Sequence, residues 1–520
     1  MKRFPYMIIA ITLLFSLMLV ACSNETGTTK EGDSGQEKDK KDDVLVIAQK
    51  ADLTTMDPQD ALATPSENIF RNTYNRLFKR GANMETETEL LQDYKIVNDT
   101  TWEFTLKEGI KFHNGESLTA EDVKFSIERV STNEKLKEYP YFKAIKGVKV
   151  VDELHFKIVT EGPLPTLPRL LAKSGSDILP KDYIKENGWD HFLKKPIGSG
   201  PYKFVEWKPN SRVVLEPFEN YFEGKVEEWK KVVFRPIPET STRVGELLTG
   251  GVDIAKQIPP NEWERVNNAK GVSIVKGNTT RVMLLVVRTT EGSVTSDPRV
   301  REAIDLAIND QALAEGLLKG AGVPVRSRAP KGVIGYNPDL YNTYVYDPEK
   351  AKKLLAEAGY EDGLNITLTA PNGRYLMDSE VAQTLVGMLD KVGIKVNLDL
   401  AEWSNFLNTY NSNSNKELLL IGLADGLLDA SYSLVHYTKE RAEGQTDYYN
   451  PKVQKLYEEA LHNMNKKERI KQLQKIQEIV AEERPHINLY QVKSIYGISD
   501  DINFSPRIDQ QIYVPSITRK

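Results

Sequence analysis

Hydrophobic and polar positions follow two rhythms along this chain. In Thr101–Leu106, Trp102, Phe104 and Leu106 alternate with Glu103 and Thr105, the period of a half-buried strand. Glu108-Gly109 then turns the chain. Ile110 and Phe112 on one face, Lys111 and His113 on the other, predict a second short strand, followed by Asn114-Gly115, a pair that tolerates positive φ. Thr119 and Asp122 have capping-box spacing for a helix beginning at Ala120, with Val123, Ile127 and Val130 facing inward. Asp297-Pro298, Asp347-Pro348 and Asn450-Pro451 each place a capping side chain before a proline at the first helical position. Behind the first two run the stripes Val300, Ala303, Ile304, Ala307 and Ala351, Leu354, Leu355, Ala358, the second ending at Gly359. Ile470, Leu473, Ile476 and Val480 predict a long helix that stops before Arg484-Pro485. The apolar runs Val44–Ala48, Val282–Val287, Leu364–Leu368, Ile394–Leu400 and Leu418–Ile421 read as buried strands. Strands and helices alternate, so the fold class is α/β with more than one sheet.

The N-terminus follows another pattern. Lys2 and Arg3 precede an apolar run from Met7 to Val20, shorter than the ~20 residues of a spanning helix. It ends in Leu19-Val20-Ala21-Cys22, which resembles a bacterial lipobox. Residues 1–21 therefore read as a lipoprotein signal peptide and Cys22 as the lipidated residue. The other readings are a plain secretory signal or an uncleaved anchor. Ser23 to Asp43 is polar and lacks aromatic residues, so 22–43 reads as a flexible tether.

Composition narrows the function. The chain has 520 residues, enough for two to four domains. Its net charge of −5 offers no basic footprint for nucleic acid. Cys22 is the single cysteine, which excludes an intramolecular disulfide and a cysteine-based zinc site. The six histidines include no i, i+4 pair and no HExxH, and no phosphate-binding G-x-x-x-x-G-K-[ST] loop occurs. Gly198-Ser199-Gly200 lacks nucleophile-elbow spacing and runs into Pro201. No activated group announces an enzyme, and no cofactor is implied.

Five stretches taken together resemble the solute-binding proteins of peptide-type ABC importers, a family with oligopeptide-, dipeptide-, glutathione- and nickel-binding members. The first runs through Trp102–Leu106, Gly109, Lys111-Phe112-His113-Asn114-Gly115 and Leu118–Val123. The others are Gly198-Ser199-Gly200-Pro201-Tyr202; Ser241-Thr242-Arg243 with Leu247, Gly250 and Asp253; Asp297–Ile304; and Gly373-Arg374-Tyr375 with Glu380–Gln383. The resemblance implies a two-lobe, type II periplasmic-binding-protein-like fold that closes on its ligand. Lobe one is expected at 45–86, 206–285 and 490–520, an inserted domain at 87–205, and lobe two at 286–489. It further implies a monomer, lipid-anchored on the extracytoplasmic face of the cell membrane, that hands its cargo to a permease and an ATPase. The cargo expected first is a di- or oligopeptide, then a glutathione-like peptide, then a nickel–chelate complex. A secreted lipoprotein hydrolase is the rival from another class.

The resemblance also points to ligand residues. Arg374 occupies the place of a carboxylate-pairing arginine in dipeptide-binding relatives, and a guanidinium fork makes two charge-assisted hydrogen bonds there. The stretch Gly422–Ala430 stands where relatives carry amine-binding aspartates. Asp429 fits the second of these, and Asp425 falls one residue early, a shift that reverses a side chain in an extended segment. Trp403 is expected to wall the pocket. Arg288 stands where the family has asparagine and is expected to add a cation at the hinge side of the cleft. His113, by contrast, belongs to the scaffold.

Overall fold

The computed structural model describes residues 43–81 and 84–520. The signal segment, Cys22 and all of the tether but Asp43 lie outside the described residues. Asp43–Lys520 forms one compact unit. Among the described residues no helix is long and apolar enough to cross a membrane.

Two strands organise this unit. Val272–Val287 and His486–Ser499 run antiparallel along their lengths and belong to both halves of an eleven-stranded sheet. At one end His486–Ser499 pairs with Ile254–Lys256, and the sheet continues through Val44–Gln49, Lys231–Pro236, Arg212–Pro217 and Tyr202–Lys208. At the other end Val272–Val287 pairs with Leu418–Leu423, then come Leu364–Pro371 and Ile394–Ala401. These are the two lobes. Between them the ladder loses register, from Asn278 opposite Lys493 to Val282 opposite Gln491. The crossing therefore lies at Thr279–Arg281, a few residues before the expected boundary at 285. The expected strand Val282–Val287 is the lobe-two half of a longer one, because Val272–Asn278 is mixed in polarity and hides its strand character.

A separate four-stranded antiparallel sheet, Leu91–Asn98, Thr101–Leu106, His155–Thr160 and Ile145–Val150, carries the helix Ala120–Thr132. Trp102, Phe104, Leu106, Val123, Ile127 and Val130 meet in its core. Each such side chain contributes ~1.5–3 kcal/mol by leaving water. The capping box forms as predicted, with the Thr119 N–H donating to Asp122 at 2.9 Å. The Ile110–His113 strand does not form: only a single bridge, Lys111 to Ser117, survives. Tyr202–Lys208 straddles the expected domain boundary at 205 and lies in the large sheet, so the change of sheet comes before Tyr202.

The proline-led helices are Pro298–Ala307, Pro348–Glu357 and Pro451–His462, capped by Asp297, Asp347 and Asn450. The long helix is Lys466–Glu483, stopped by Arg484 in the left-handed region at φ 55°.

His113 is a stitch in this scaffold. Its Nδ1 accepts from the Gly198 N–H at 3.2 Å, so the proton sits on Nε2, which donates to the Gly200 carbonyl at 3.0 Å. Burial pushes its pKa down to about 4. A Cβ on Gly198 would stand 1.9 Å from the Thr73 carbonyl oxygen, and one on Gly200 2.5 Å from the Thr73 carbonyl carbon. Only glycine lets these two backbones touch.

Candidate functional site

The strand Leu364–Pro371, paired between Ile394–Ala401 and Leu418–Leu423, releases from its C-terminal end the loop that carries Arg374. Asp378 shapes that loop, its carboxylate accepting from the N–H groups of Gly373, Arg374 and Tyr375 at 2.7–2.9 Å. The Arg374 side chain is exposed and lies over the Trp403 ring at 4.9 Å and the Tyr375 ring at 5.3 Å. Trp403 opens the helix Trp403–Asn411, stacks on Phe406 and meets Tyr375 edge-on at 6.0 Å. No acidic side chain lies within ion-pair distance of Arg374 among the described residues.

On another side of Tyr375 is Arg281, at the crossing between the lobes, 5.6 Å from the ring centroid. Its Nη1 donates to the Gly422 carbonyl at 2.5 Å, and the Tyr375 hydroxyl donates to the same oxygen at 3.1 Å. Gly422 admits both: a Cβ there would stand 2.9 Å from Tyr375 and 3.1 Å from Arg281.

Three residues beyond Gly422 is Asp425, 2 % exposed. The strand ends at Leu423, and Leu428 is left-handed at φ 56°, so Ala424–Asp429 is a loop. Strand alternation therefore does not govern where Asp425 points. Its backbone N–H donates to the hydroxyl of Thr280, beside Arg281, at 3.2 Å. Its carboxylate accepts from the N–H groups of Leu427 and Asp429 and from the Ser433 hydroxyl, at 3.0, 3.3 and 2.6 Å. No cation lies within ion-pair distance of it among the described residues. Burial pushes its pKa up to about 6, and the negative charge of Asp429 adds to this against the Ser433 hydrogen bond.

The Asp425 loop is also where the lobes meet. Arg80 donates to the Gly426 carbonyl at 2.7 Å, and the hydroxyls of Tyr141 and Tyr432 lie 2.6 Å apart with their rings stacked. Leu427 enters the core of the four-stranded unit. Beneath Tyr141 lies a buried Lys173–Glu138 pair. A depression of about 510 Å³ opens on the seam, lined by Met84, Lys331, Gly332, Arg507 and Ile508 among others.

Two expected residues are placed elsewhere. Asp429 caps the helix Ala430–Leu434 and gives both oxygens to Arg469, at 2.7 and 2.8 Å, in a pair 2 % and 5 % exposed. Its lone pairs are committed within lobe two. Arg288 lies past the far end of the strand from Arg281, roughly 20 Å away at ~3.3 Å per residue. Its guanidinium ties down the carbonyls of Asn413 and Asn415 and the Thr290 hydroxyl. It is a loop clamp remote from the crossing between the lobes. Of the expected set, Arg374 and Trp403 come into contact, joined by Tyr375 and through it Arg281, while Asp425 follows three residues after Gly422 in the same candidate site. A charged residue set directly before six apolar ones was the available signal for Arg281.

Residues 85–445 match the family model of the bacterial extracellular solute-binding proteins, family 5 (middle), and the chain belongs to that family. It is similar to the glutathione-binding protein of Salmonella paratyphi A, 26% identical over 469 residues that cover 88% of this chain and 91% of the relative. It superposes on the ABC transporter-associated periplasmic binding protein DppA of Helicobacter pylori in complex with the peptide STSA. The TM-score is 0.74 at 26% identity, with 92% of this chain and 98% of the other covered. The substrate-binding protein CtaP of Listeria monocytogenes shares the fold with a TM-score of 0.83, 21% identity, and coverage of 92% of this chain and 100% of the other.

Proposed function

We propose that this chain is the lipid-anchored capture subunit of an ABC importer, taking up a di- or oligopeptide between its lobes. The observation that carries the reading is the pairing of unmatched charges. Among the described residues, Arg374 is a cation with no acidic side chain in ion-pair reach, and Asp425 is a buried carboxylate with no cation in ion-pair reach. They are linked through Tyr375, Gly422 and the loop that follows. A zwitterionic peptide supplies both missing charges, its carboxylate to the Arg374 fork and its ammonium to Asp425. Arg374 and Asp425 both belong to lobe two, so a peptide held there shifts the population toward closure about Thr279–Arg281 through whatever contacts lobe one adds to it on closing. The closed form is what a permease would recognise. Lipid on Cys22 would keep the receptor beside that permease, since acyl chains contribute ~0.8 kcal/mol per buried CH₂. The names of relatives that bind glutathione and a peptide support the same reading.

Calorimetry with short peptides and their N-acetylated and C-amidated analogues tests the site. Free peptides should bind, each blocked end should weaken binding at least tenfold, and Arg374→Gln should remove the penalty of C-amidation alone. Blocked and free peptides binding equally would sink the reading. Labelled palmitate incorporated by the wild type and lost in Cys22→Ser tests the anchor.

A further inference from the structure

Some buried arginines in this protein are saturated, while others, such as Arg169 and Arg328, keep a nitrogen without a partner among the described residues. Arg243, 1 % exposed, spends its guanidinium on the carbonyls of Ile237, Pro238, Lys256 and Gln257 and on the Thr240 hydroxyl. Arg301 bonds three carbonyls. Arg281, half-buried, is among the loosely held. One hydrogen bond, to Gly422, holds it, and its Nε and Nη2 have no partner among the described residues. Neither atom is sealed from solvent. It shares the Tyr375 ring with a second cation, Arg374, which has no acidic side chain in ion-pair reach among the described residues; both guanidinium carbons lie within 5.6 Å of the ring centroid. Burial, and then the charge of Arg374, push its pKa down. Two cations gathered on one ring, with no acidic side chain paired to either among the described residues, favour an anionic group bound beside them.

We infer that Arg281 is a specificity-determining residue that, with Arg374, selects peptides carrying a second carboxylate. Arg374 takes one carboxylate, and the free Nε and Nη2 of Arg281 take the other. The inference rests on the peptide reading above. A zwitterionic peptide of neutral side chains satisfies Arg374 and Asp425 but leaves Arg281 unmatched. A peptide with an acidic residue satisfies all three.

The test uses neutral and acidic isosteres: Ala-Glu against Ala-Gln, and Glu-Ala against Gln-Ala, titrated into the purified mature protein. In at least one pair the acidic member should bind about tenfold tighter or more, the worth of one charged hydrogen-bonding pair. Arg281→Gln should bring that ratio close to one, and Arg281→Lys, which keeps the charge, should retain part of it. A purely structural role for Arg281 would weaken both members equally and leave the ratio intact. An equal affinity within both wild-type pairs, or a preference that persists in Arg281→Gln, overturns the inference while leaving the peptide reading standing. If none of the four dipeptides binds while longer peptides do, the inference fails as stated. If no peptide binds at all, both fail.

Discussion

Asp425 sets function against stability, and replacing it by asparagine measures the conflict. The amide fits the site: its oxygen can accept from Leu427 and Asp429, and its nitrogen can donate to the Ser433 oxygen. Only the charge is lost. In the folded protein the carboxyl titrates at about 6 rather than 3.8, so between these values the folded state binds more protons than the unfolded one. The stability of the unliganded wild type therefore falls as pH rises through that window. At 1.36 kcal/mol per unit the fall is ~3 kcal/mol. Asp425→Asn lacks this term. Urea unfolding of both proteins at pH 4 and pH 7.5 should show the variant gaining ~3 kcal/mol on the wild type between the two. The same variant should lose affinity for a peptide with a free ammonium. Wild-type affinity should weaken as pH drops below about 6, where Asp425 takes up a proton. A stability difference independent of pH would refute the claim that an uncompensated charge is buried here. So would a variant as destabilised at pH 7.5 as at pH 4.

Other consequences are as definite. Arg469→Met leaves Asp429 ionised and buried without its partner, and chemical unfolding should show a loss of about 3–5 kcal/mol. His113 is held neutral in the fold, so protonation of the unfolded chain costs stability as pH falls from 6.5 toward 4. That contribution is ~3 kcal/mol and should be absent from the pH profile of His113→Gln. Gly200→Ala drives a methyl into the Thr73 backbone and should cost about 3 kcal/mol or more, read as a lowered melting temperature or loss of soluble protein.

Much of the scaffold was legible because its determinants are local. A capping side chain, a proline at the first helical turn and an apolar stripe lie within a few residues of one another, and the helices begin at Ala120, Pro298, Pro348 and Pro451 accordingly. The alternation of Trp102, Phe104 and Leu106 likewise specifies which face of one strand is buried. Where the local signal was weak, expectation and structure part. Ile110–Phe112 alternates, but its backbone finds a single bridge because the chain turns away to Gly198. Val272–Asn278 lacks an apolar rhythm, yet pairing with the strand His486–Ser499 over two hundred residues away makes it a strand.

The sequence alone determined the α/β class, the family likeness and the neighbourhood of Arg374 and Asp425, since each of these is carried by short segments. Only the tertiary structure decided which charges are already spent. Asp429 meets Arg469 forty residues later, and Arg288 meets the carbonyls of Asn413 and Asn415, while Arg281, Arg374 and Asp425 keep capacity to spare. Charge is written in each residue, but whether it is matched depends on what the fold brings within a few ångströms, and no local pattern encodes that.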